Sequence, residues 1–391
     1  MSLYFVGIDI SKYKHDCCII SAADQKIISK FTIKNDKAGF EELITTFNSL
    51  SNPEDIKIGF ESTAHYALNL ELFLENAHHS FMEVNPVLIK EYKKSTTLRR
   101  TKTDSVDCES IARWLMTVEY KPHSKGFYHA YSLKSLTRLR DRLIRQRSFY
   151  LVKITNVLDH TFPEFKPFFN ERLSKTALYL LENYGSSEKM ARMNSASYDK
   201  LRCISRGKFS IQKFLRLKGL AANTVGVNNS IFDLELNSLL TLYKSLSNEI
   251  NTLESEIIKL IEEVHPHYMS IPGIGPISAA VIYAEYGDIS NFSNPGQMLA
   301  FAGIEPGIDE SGTESHGGRM VKHGSSQLRY VLLNACLPLI RFDLTFATYY
   351  AKKRAEGKKH RVAITHVAKK LIRVIYALER QDIDFNAQKL R

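Results

Sequence analysis

The sequence predicts an α/β domain at the N-terminus, a helical coiled-coil region in the middle, and a mainly α-helical domain at the C-terminus. Strand and helix patterns alternate over residues 3–118, apolar residues recur in heptads over 236–260, and the composition becomes rich in Gly and polar residues after Met269. The predicted domains are 1–125, 126–265 and 266–391.

The N-terminal domain is predicted to contain five strands and three helices in the order βββαβαβα. The strand runs are LYFVGIDI, HDCCIIS, KIISKFTI, DIKIGFES and SFMEVNP, of which the first three form a meander and the last ends at Pro86. The helical runs are AGFEELITTFNSL, AHYALNLELFLENA and Asp104 to Met116. This order is typical of a sheet covered by helices.

Two long helices are predicted in the middle region. The run SLKSLTRLRDRLIRQRSFYLVKITNVLDH carries Arg138, Arg142 and Arg145 on one side, which are candidates for contact with nucleic acid. The heptad run from Leu236 to Leu260 predicts a coiled-coil helix that needs an apolar partner. That partner is either the first long helix, packed antiparallel, or another subunit, so we expect a homo-oligomer, either a dimer or a tetramer.

Composition and charge favour a soluble protein with a polyanionic partner. The chain has 391 residues, is 44% hydrophobic, and carries a formal net charge of +11, which favours nucleic acid over other partners. The sequence lacks an apolar run long enough to span a membrane and lacks a signal-peptide pattern. Five cysteines without a C-x-x-C pair predict a cytoplasmic protein that has neither disulfides nor a zinc site.

Four acidic residues are candidates for one catalytic site. Asp9 lies in the first strand, in GIDIS, and Glu61 ends the fourth, in GFEST. Asp104 and Asp107 are three residues apart and share a face of the third predicted helix, directly after the basic run KEYKKSTTLRRTK. Taken singly, each acid is also explained as a turn residue, a surface acid or a helix cap.

The same four acids predict a divalent metal site. Four carboxylates that converge repel one another and lose hydration unless a cation compensates them. Oxygen ligands favour Mg²⁺ or Mn²⁺ over zinc, and a pair of such ions promotes displacement at a phosphodiester. A sheet that pairs the first and fourth strands would bring Asp9 beside Glu61.

The motifs GIDISK, FESTAHY and TLRRTKTDSVDCESIA resemble the acidic motifs of DEDD-type transposases of insertion-sequence family one-ten, which includes the Piv pilin-gene invertase. The resemblance implies a ribonuclease-H-like domain of the Holliday-junction-resolvase type. It also assigns the four metal-binding and catalytic acids as Asp9, Glu61, Asp104 and Asp107. Cys108 stands where a small residue such as alanine is expected. The basic run before the acids supplies further nucleic-acid candidates in Arg99, Arg100 and Lys102.

Two motifs in the C-terminal domain are candidates for contact with DNA. SIPGIGPISAAVI is similar to a helix-hairpin-helix, in which Gly273 and Gly275 would allow a phosphate to approach, although the same pattern also serves as a packing turn. ESGTESHGGRMVKHG resembles the C-terminal domain of the same family. That resemblance makes Ser311 the nucleophile and Arg319, Lys322 and Arg329 the basic residues that follow it. From the residues alone, the stretch is a Gly/Ser-rich loop in which Ser311 is one of several interchangeable serines.

The predicted function is that of an insertion-sequence transposase, a site-specific DNA recombinase. The resemblance implies a phosphoserine intermediate, Mg²⁺ at the acids, and a structured bridge RNA that guides the choice of DNA. Two alternatives stay open, namely a metal-dependent nuclease such as a junction resolvase, in which water is the nucleophile, and a non-catalytic nucleic-acid-binding protein.

Overall fold

The computed structural model describes residues 3–61, 66–84, 86–96, 104–122, 127–170, 173–311, 314–322 and 324–390. The chain divides into two compact units, Met1–Lys125 and Gly126–Arg391. The first boundary lies where the sequence predicts the end of the α/β domain. The further division of the second unit near residue 265 stays a prediction.

The first unit is built on a mixed five-stranded sheet, as the sequence predicts. The strands are β1 Tyr4–Ile10, β2 Lys14–Ser21, β3 Ile27–Lys34, β4 Ile56–Glu61 and β5 Phe81–Val84. Their order across the sheet is β3-β2-β1-β4-β5. The first three strands form an antiparallel meander, and β4 and β5 run parallel to β1.

The helices of the first unit are α1 Lys37–Leu50, α2 Leu68–Asn76, α3 Pro86–Thr96 and α4 Asp104–Leu115. The prediction of three helices was wrong at α3, because Pro86 begins a helix as well as following a strand. Proline is tolerated in the first turn of a helix, where its missing N–H group has no partner to lose. The element order is therefore βββαβαβαα, and the helix that begins at Asp104 is the fourth.

The helix α4 lies directly on β1 and β4 because glycines in both strands admit it. A Cβ atom on Gly7 would lie 2.1 Å from the Cys108 carbonyl oxygen and 2.5 Å from the Ala112 nitrogen. A Cβ atom on Gly59 would lie 2.7 Å from the Leu115 side chain. The two glycines thus fix the height of α4 above the sheet.

A Gly7→Ala variant should lose about 1–3 kcal/mol of stability, because the added methyl group would clash with backbone atoms of α4, which cannot move aside as a side chain can. The single tryptophan of the sequence, Trp114, lies in α4 and reports on this unit. Urea unfolding followed by its fluorescence measures the loss. Gly219→Ala is the matched control, since a Cβ atom there meets nothing within 4 Å. Equal stability of the two variants would contradict the close packing of α4.

The second unit begins with two long helices separated by shorter ones. The helices are α5 Phe127–Thr161, α6 Phe165–Phe168, α7 Lys175–Tyr184, α8 Ser187–Ala191, α9 Ser195–Ile204, α10 Ile211–Ala222 and α11 Ser230–Val264. The long helices α5 and α11 pack antiparallel, because Leu133 shares a core with Ile257 while Ile154 shares another with Leu236. The pairing agrees with one of the two partners expected from the sequence, and the coiled-coil assignment itself stays a prediction.

The remaining elements of the second unit are α12 Pro276–Tyr286, α13 Pro295–Ala302, β6 Pro306–Ser311, β7 Glu314–Met320, α14 Ser326–Phe342, α15 Leu344–Ala355 and α16 His360–Gln381. One expectation was wrong here. The stretch that its residues alone predict to be a Gly/Ser-rich loop is an antiparallel β6–β7 hairpin. The basic stretch 351–361 is helical as far as Ala355, in α15. Among the described residues, every single helix is too short or too polar to cross a membrane. Only α14 and α15 taken together are long and apolar enough, and the chain bends by 106° between them.

Candidate active site

Asp9 and Glu61 lie at the same level of two neighbouring parallel strands. In the register of β1 and β4, Gly7 pairs with Gly59 and Ile8 pairs with Phe60. The next residue of each strand is Asp9 and Glu61. The carboxyl ends of parallel strands meet at one edge of a sheet, so the two acids are neighbours there, as the sequence predicts.

Both acids are on the face of the sheet that α4 covers. Val6, Ile8, Ile58 and Phe60 belong to the core on the opposite face, together with residues of α1 and α2. Side chains alternate along a strand, so the residues between these face α4, as the contacts of Gly7 and Gly59 show directly. Asp9 and Glu61 follow those glycines by two residues and are both half-buried.

The other two acids, Asp104 and Asp107, belong to the first turn of α4. Cys108 and Ala112 lie over Gly7, whereas Leu115 lies over Gly59, which pairs with Gly7, so α4 crosses from β1 to β4. Asp107 immediately precedes Cys108 and is half-buried. Asp104 is the first residue of α4, and its side chain lies outside the described residues.

Two charged residues near these acids were missed by sequence reasoning. Lys93 of α3 donates a hydrogen bond of 2.7 Å to Asp107 Oδ1, and both side chains are half-buried. Asp16 of β2 pairs directly with Asp9 in the antiparallel register. Its carboxylate accepts a hydrogen bond of 2.5 Å from Thr32 and forms a 3.1 Å ion pair with Lys14. The spacing of Asp9 and Asp16 across a tight hairpin was the available signal for Asp16.

The donor chemistry fits a hard divalent cation, because the candidate ligands are all carboxylates at one edge of the sheet. Among the described side chains, which leave out that of Asp104, no group of three His, Cys, Asp or Glu residues converges enough to hold an ion. The ammonium group of Lys93 supplies positive charge to Asp107 in this arrangement. A metal bound by Asp107 would have to share that carboxylate with Lys93 or displace it.

Cys108 is a packing residue and not a reactive thiol. It is 1% exposed and lies against Cys18, Ile20 and Ala112 between α4 and the sheet. Its hydrogen bond with Cys18, together with burial, raises the pKa of the Cys108 thiol well above its usual range. A protonated thiol is a poor metal ligand, so Cys108 fills space where a smaller residue was expected.

Ser311 is the last residue of β6, at the tip of the β6–β7 hairpin, where it pairs with Glu314. Its side chain lies outside the described residues, as do Gly312 and Thr313. The backbone of Ser311 is therefore held by hydrogen bonds between two strands, whereas the sequence predicts a loop without such bonds.

The basic residues after Ser311 differ in their surroundings. Arg319 lies in β7, and its side chain is outside the described residues, while Lys322 is exposed. Arg329 donates a hydrogen bond of 3.1 Å from Nη1 to the carbonyl oxygen of Ala302, at the end of α13. This bond favours a packing role for Arg329, and its contact with nucleic acid stays a prediction.

The remaining candidates for contact with nucleic acid also differ in their surroundings. Arg99, Arg100 and Lys102 lie outside the described residues. Arg138 forms an ion pair of 3.1 Å with Glu285, which is 5% exposed. The positive charge of Arg138 is therefore largely neutralised by an acid inside the protein. Arg145 pairs with Asp141 at 2.8 Å, whereas Arg142 is exposed.

The glycine turn before α12 is explained in part by packing. Gly273 has φ +97°, and a Cβ atom there would lie 2.8 Å from Pro338 Cγ of α14. Only a short 3₁₀ turn, His267–Ser270, precedes it where a helix-hairpin-helix would have its first helix. The space beside Gly275 is open, so contact between this turn and a phosphate stays a prediction.

Comparison with known proteins identifies the family. A family profile described as a transposase, of the DEDD IS110 type, matches residues 6–163. A second profile, described as the transposase IS116/IS110/IS902 family, matches residues 266–351. The two matches together cover more than half of the chain and leave residues 164–265 between them.

Full-length relatives agree with these profiles. An uncharacterized 42 kDa protein of insertion element IS900 from Mycobacterium paratuberculosis is 26% identical over 96% of this chain and 95% of its own length. The 43.6 kDa protein of insertion element IS110 from Streptomyces coelicolor is 25% identical over 96% and 94%. The pilin gene-inverting protein of Moraxella bovis is 23% identical over 99% and 98%. The chain therefore belongs to the IS110 family of DEDD transposases and is a DNA transposase.

Proposed function

We propose that this transposase cuts and rejoins DNA with Asp9, Glu61, Asp104 and Asp107 as metal-binding acids and Ser311 as the nucleophile. The observation that carries the proposal is the register of β1 and β4, which makes Asp9 and Glu61 neighbours on the face of the sheet that α4 covers. The DEDD type of the N-terminal domain implies the use of a divalent metal. We propose Mg²⁺, which Mn²⁺ could replace.

The order of the sheet supports a ribonuclease-H-like fold of the Holliday-junction-resolvase type for the first unit. In this sheet an antiparallel meander is followed by two parallel strands, and the acids lie at the carboxyl edge of the central pair. Bound metal would supply Lewis-acid stabilisation of the phosphodiester oxygens. Lys93 would offset part of the negative charge of Asp107, which limits the repulsion between the acids and an incoming phosphate.

Ser311 would form a covalent link to the DNA. Its Oγ forms a bond to phosphorus, the bond between phosphorus and the leaving deoxyribose oxygen breaks, the hydroxyl proton passes to a base, and the leaving oxygen takes up a proton. The phosphoserine retains a reactive phosphate ester. A hydroxyl group of another DNA strand can therefore displace Ser311, which rejoins the DNA and regenerates the serine.

Three further parts of the proposal concern partners. The substrates are the ends of an insertion element and a target DNA, and a structured guide RNA pairs with both. The net charge of +11 supports binding to such polyanions. The apolar stripe of α11, which packs on α5, supports a coiled coil between these two helices. We also propose a homo-oligomer in which one subunit supplies the acids and another supplies Ser311.

Strand exchange between DNA carrying the element ends and a target DNA tests this function. The reaction contains the purified chain, RNA transcribed from the non-coding DNA beside its gene, and Mg²⁺, Mn²⁺ or a chelator. We expect exchange with either metal and none with the chelator, and we expect omission of the RNA to abolish it. Exchange that persists in the chelator would exclude the metal site, and exchange without RNA would exclude a guide.

A further inference from the structure

One short segment of the second unit, residues 186–218, is strongly basic. Residues 186–218 contain nine Lys or Arg residues and only two Asp or Glu residues, whereas the whole chain has a net charge of +11. The segment runs from α8 to α10 and lies between the two stretches that match the family profiles. These helices share their own hydrophobic core with the adjoining ends of α5 and α11.

Except for the half-buried Lys218, the basic side chains of this segment face solvent, and none has an ion-pair partner among the described residues. We define the basic surface as Arg192, Lys200, Arg202, Arg206, Lys208, Lys213 and Arg216, all of which are exposed. The exposed basic residues elsewhere in the same unit are often neutralised, for example Lys244 by Glu182 and Lys259 by Glu256. An unneutralised cluster of this size favours a partner with closely spaced negative charges.

The helices α9 and α10 are joined by a structured turn. Six residues, 205–210, connect the two helices, and Tyr198 of α9 packs on Phe214 of α10 with ring centroids 5.5 Å apart. The turn has a defined geometry, because Arg206 and Gly207 have positive φ and Gly207 N donates a hydrogen bond of 2.8 Å to Arg202 O. The second helix begins at a capped N-terminus, where Ser210 accepts a hydrogen bond from Lys213 N.

The exposed side of α10 carries groups suited to the edges of base pairs. Ile211, Gln212, Lys213, Leu215 and Arg216 are exposed in its first two turns. Leu215 is 60% exposed, which leaves apolar surface without an internal partner. Glutamine can hydrogen-bond adenine, arginine can bond guanine, and an aliphatic side chain can contact the thymine methyl group.

We propose that the basic surface binds duplex DNA, with α10 in the major groove and the basic residues of α9 and the turn on the phosphates. A helix of 12 residues is about 18 Å long, and the major groove of B-form DNA admits such a helix. The groove of A-form RNA that carries most sequence information is too deep and narrow for a helix, so the arrangement favours DNA over RNA. The basic surface includes neither the four acids nor Ser311, and the inference goes beyond the proposed recombination chemistry.

The first test compares two charge-matched variants of the full chain. One variant carries Arg202→Gln, Lys208→Gln, Lys213→Gln and Arg216→Gln. The control carries Lys26→Gln, Lys37→Gln, Lys244→Gln and Lys259→Gln, four exposed lysines that are each ion-paired to an acid. Both variants lose four positive charges. Circular dichroism and melting curves verify that both are folded.

Affinity for duplex DNA and for double-stranded RNA is measured by fluorescence anisotropy over a range of salt concentrations. Each lost phosphate contact reduces the slope of log affinity against log salt by about 0.9, so the first variant should lose about 3 to 4 units of slope on duplex DNA. The control should keep its slope. An unchanged slope in the first variant, or an equal loss in the control, would overturn the proposal. A loss confined to RNA would replace DNA by RNA as the partner.

The second test uses the natural position of Cys203. All five cysteines lie in the described part of the chain, and Cys203 in α9 is the exposed one, while the other four are buried. An iron–EDTA reagent attached to Cys203 should cut bound duplex DNA within a few base pairs of a single groove. Uniform cutting along the duplex, or none, would contradict the placement of α9 against the backbone. Neither test depends on catalysis, so failure of this inference is distinguishable from failure of the proposed function.

Discussion

Replacement of Asp104 by Asn should reduce strand exchange by about a thousandfold or more, because metal bound to the acids is expected to supply several kcal/mol of transition-state stabilisation. The substitution keeps the size of the side chain and removes its charge at the first residue of α4. Binding of DNA and RNA depends on Lys and Arg, so affinity should stay within about threefold. Single-turnover exchange and anisotropy measure the two quantities.

Glu109→Gln is the matched control, since it removes one carboxylate charge from the same helix. Glu109 accepts hydrogen bonds of 2.7 Å from Lys30 and Arg113 and so has a structural role. Burial alone would raise the pKa of Glu109, but these two hydrogen bonds outweigh it and hold the pKa below its usual value. The control should retain exchange. Near-normal exchange by the Asp104→Asn variant would exclude the metal site.

Replacement of Ser311 by Ala should abolish both the covalent protein–DNA adduct and strand exchange, because no other group would carry the phosphate between strands. Ser315→Ala is the matched control, since Ser315 lies in the same hairpin and pairs with Glu310. The control should form the adduct at a rate within about tenfold of the unaltered chain, as its hydroxyl makes no bond to phosphorus.

Mixing the two inactive variants tests whether active sites are shared between subunits. Asp104→Asn chains retain Ser311, and Ser311→Ala chains retain all four acids. If one subunit supplies the acids and another the serine, mixed oligomers contain some complete sites and activity partly returns. Mixed oligomers that form without any covalent adduct would contradict the shared site and would require each serine to act with the acids of its own chain.

The five strands of the sheet, and the acids at the ends of β1 and β4, could be predicted because their signals are local. Apolar runs of strand length define β1 and β4, and each acid comes where such a run ends. Parallel pairing of the two strands then aligns the acids without knowledge of distant contacts. The row of apolar residues along α11 was predictable for the same reason, because their spacing of three and four residues can be read directly from the sequence.

Other features depended on contacts that a single sequence does not reveal. The helix α3 was missed because Pro86 and the lysines after it resemble a loop, yet α3 brings Lys93 to Asp107. The hairpin that carries Ser311 was read as a loop because glycine and acidic residues are poor strand formers. Arg138 was taken as a surface residue, and only the fold reveals the buried Glu285 that pairs with it.

The most direct test of the account is to map the residue that becomes linked to DNA. The unaltered chain is incubated with element-end DNA, guide RNA and Mg²⁺, the reaction is stopped by denaturation, and the DNA-linked peptide is identified by mass spectrometry. We predict a phosphodiester on Ser311 that disappears with a chelator or with Asp104→Asn. Cleavage without any protein–DNA link would instead indicate a nuclease that uses water, and a link at another residue would exclude Ser311 as the nucleophile.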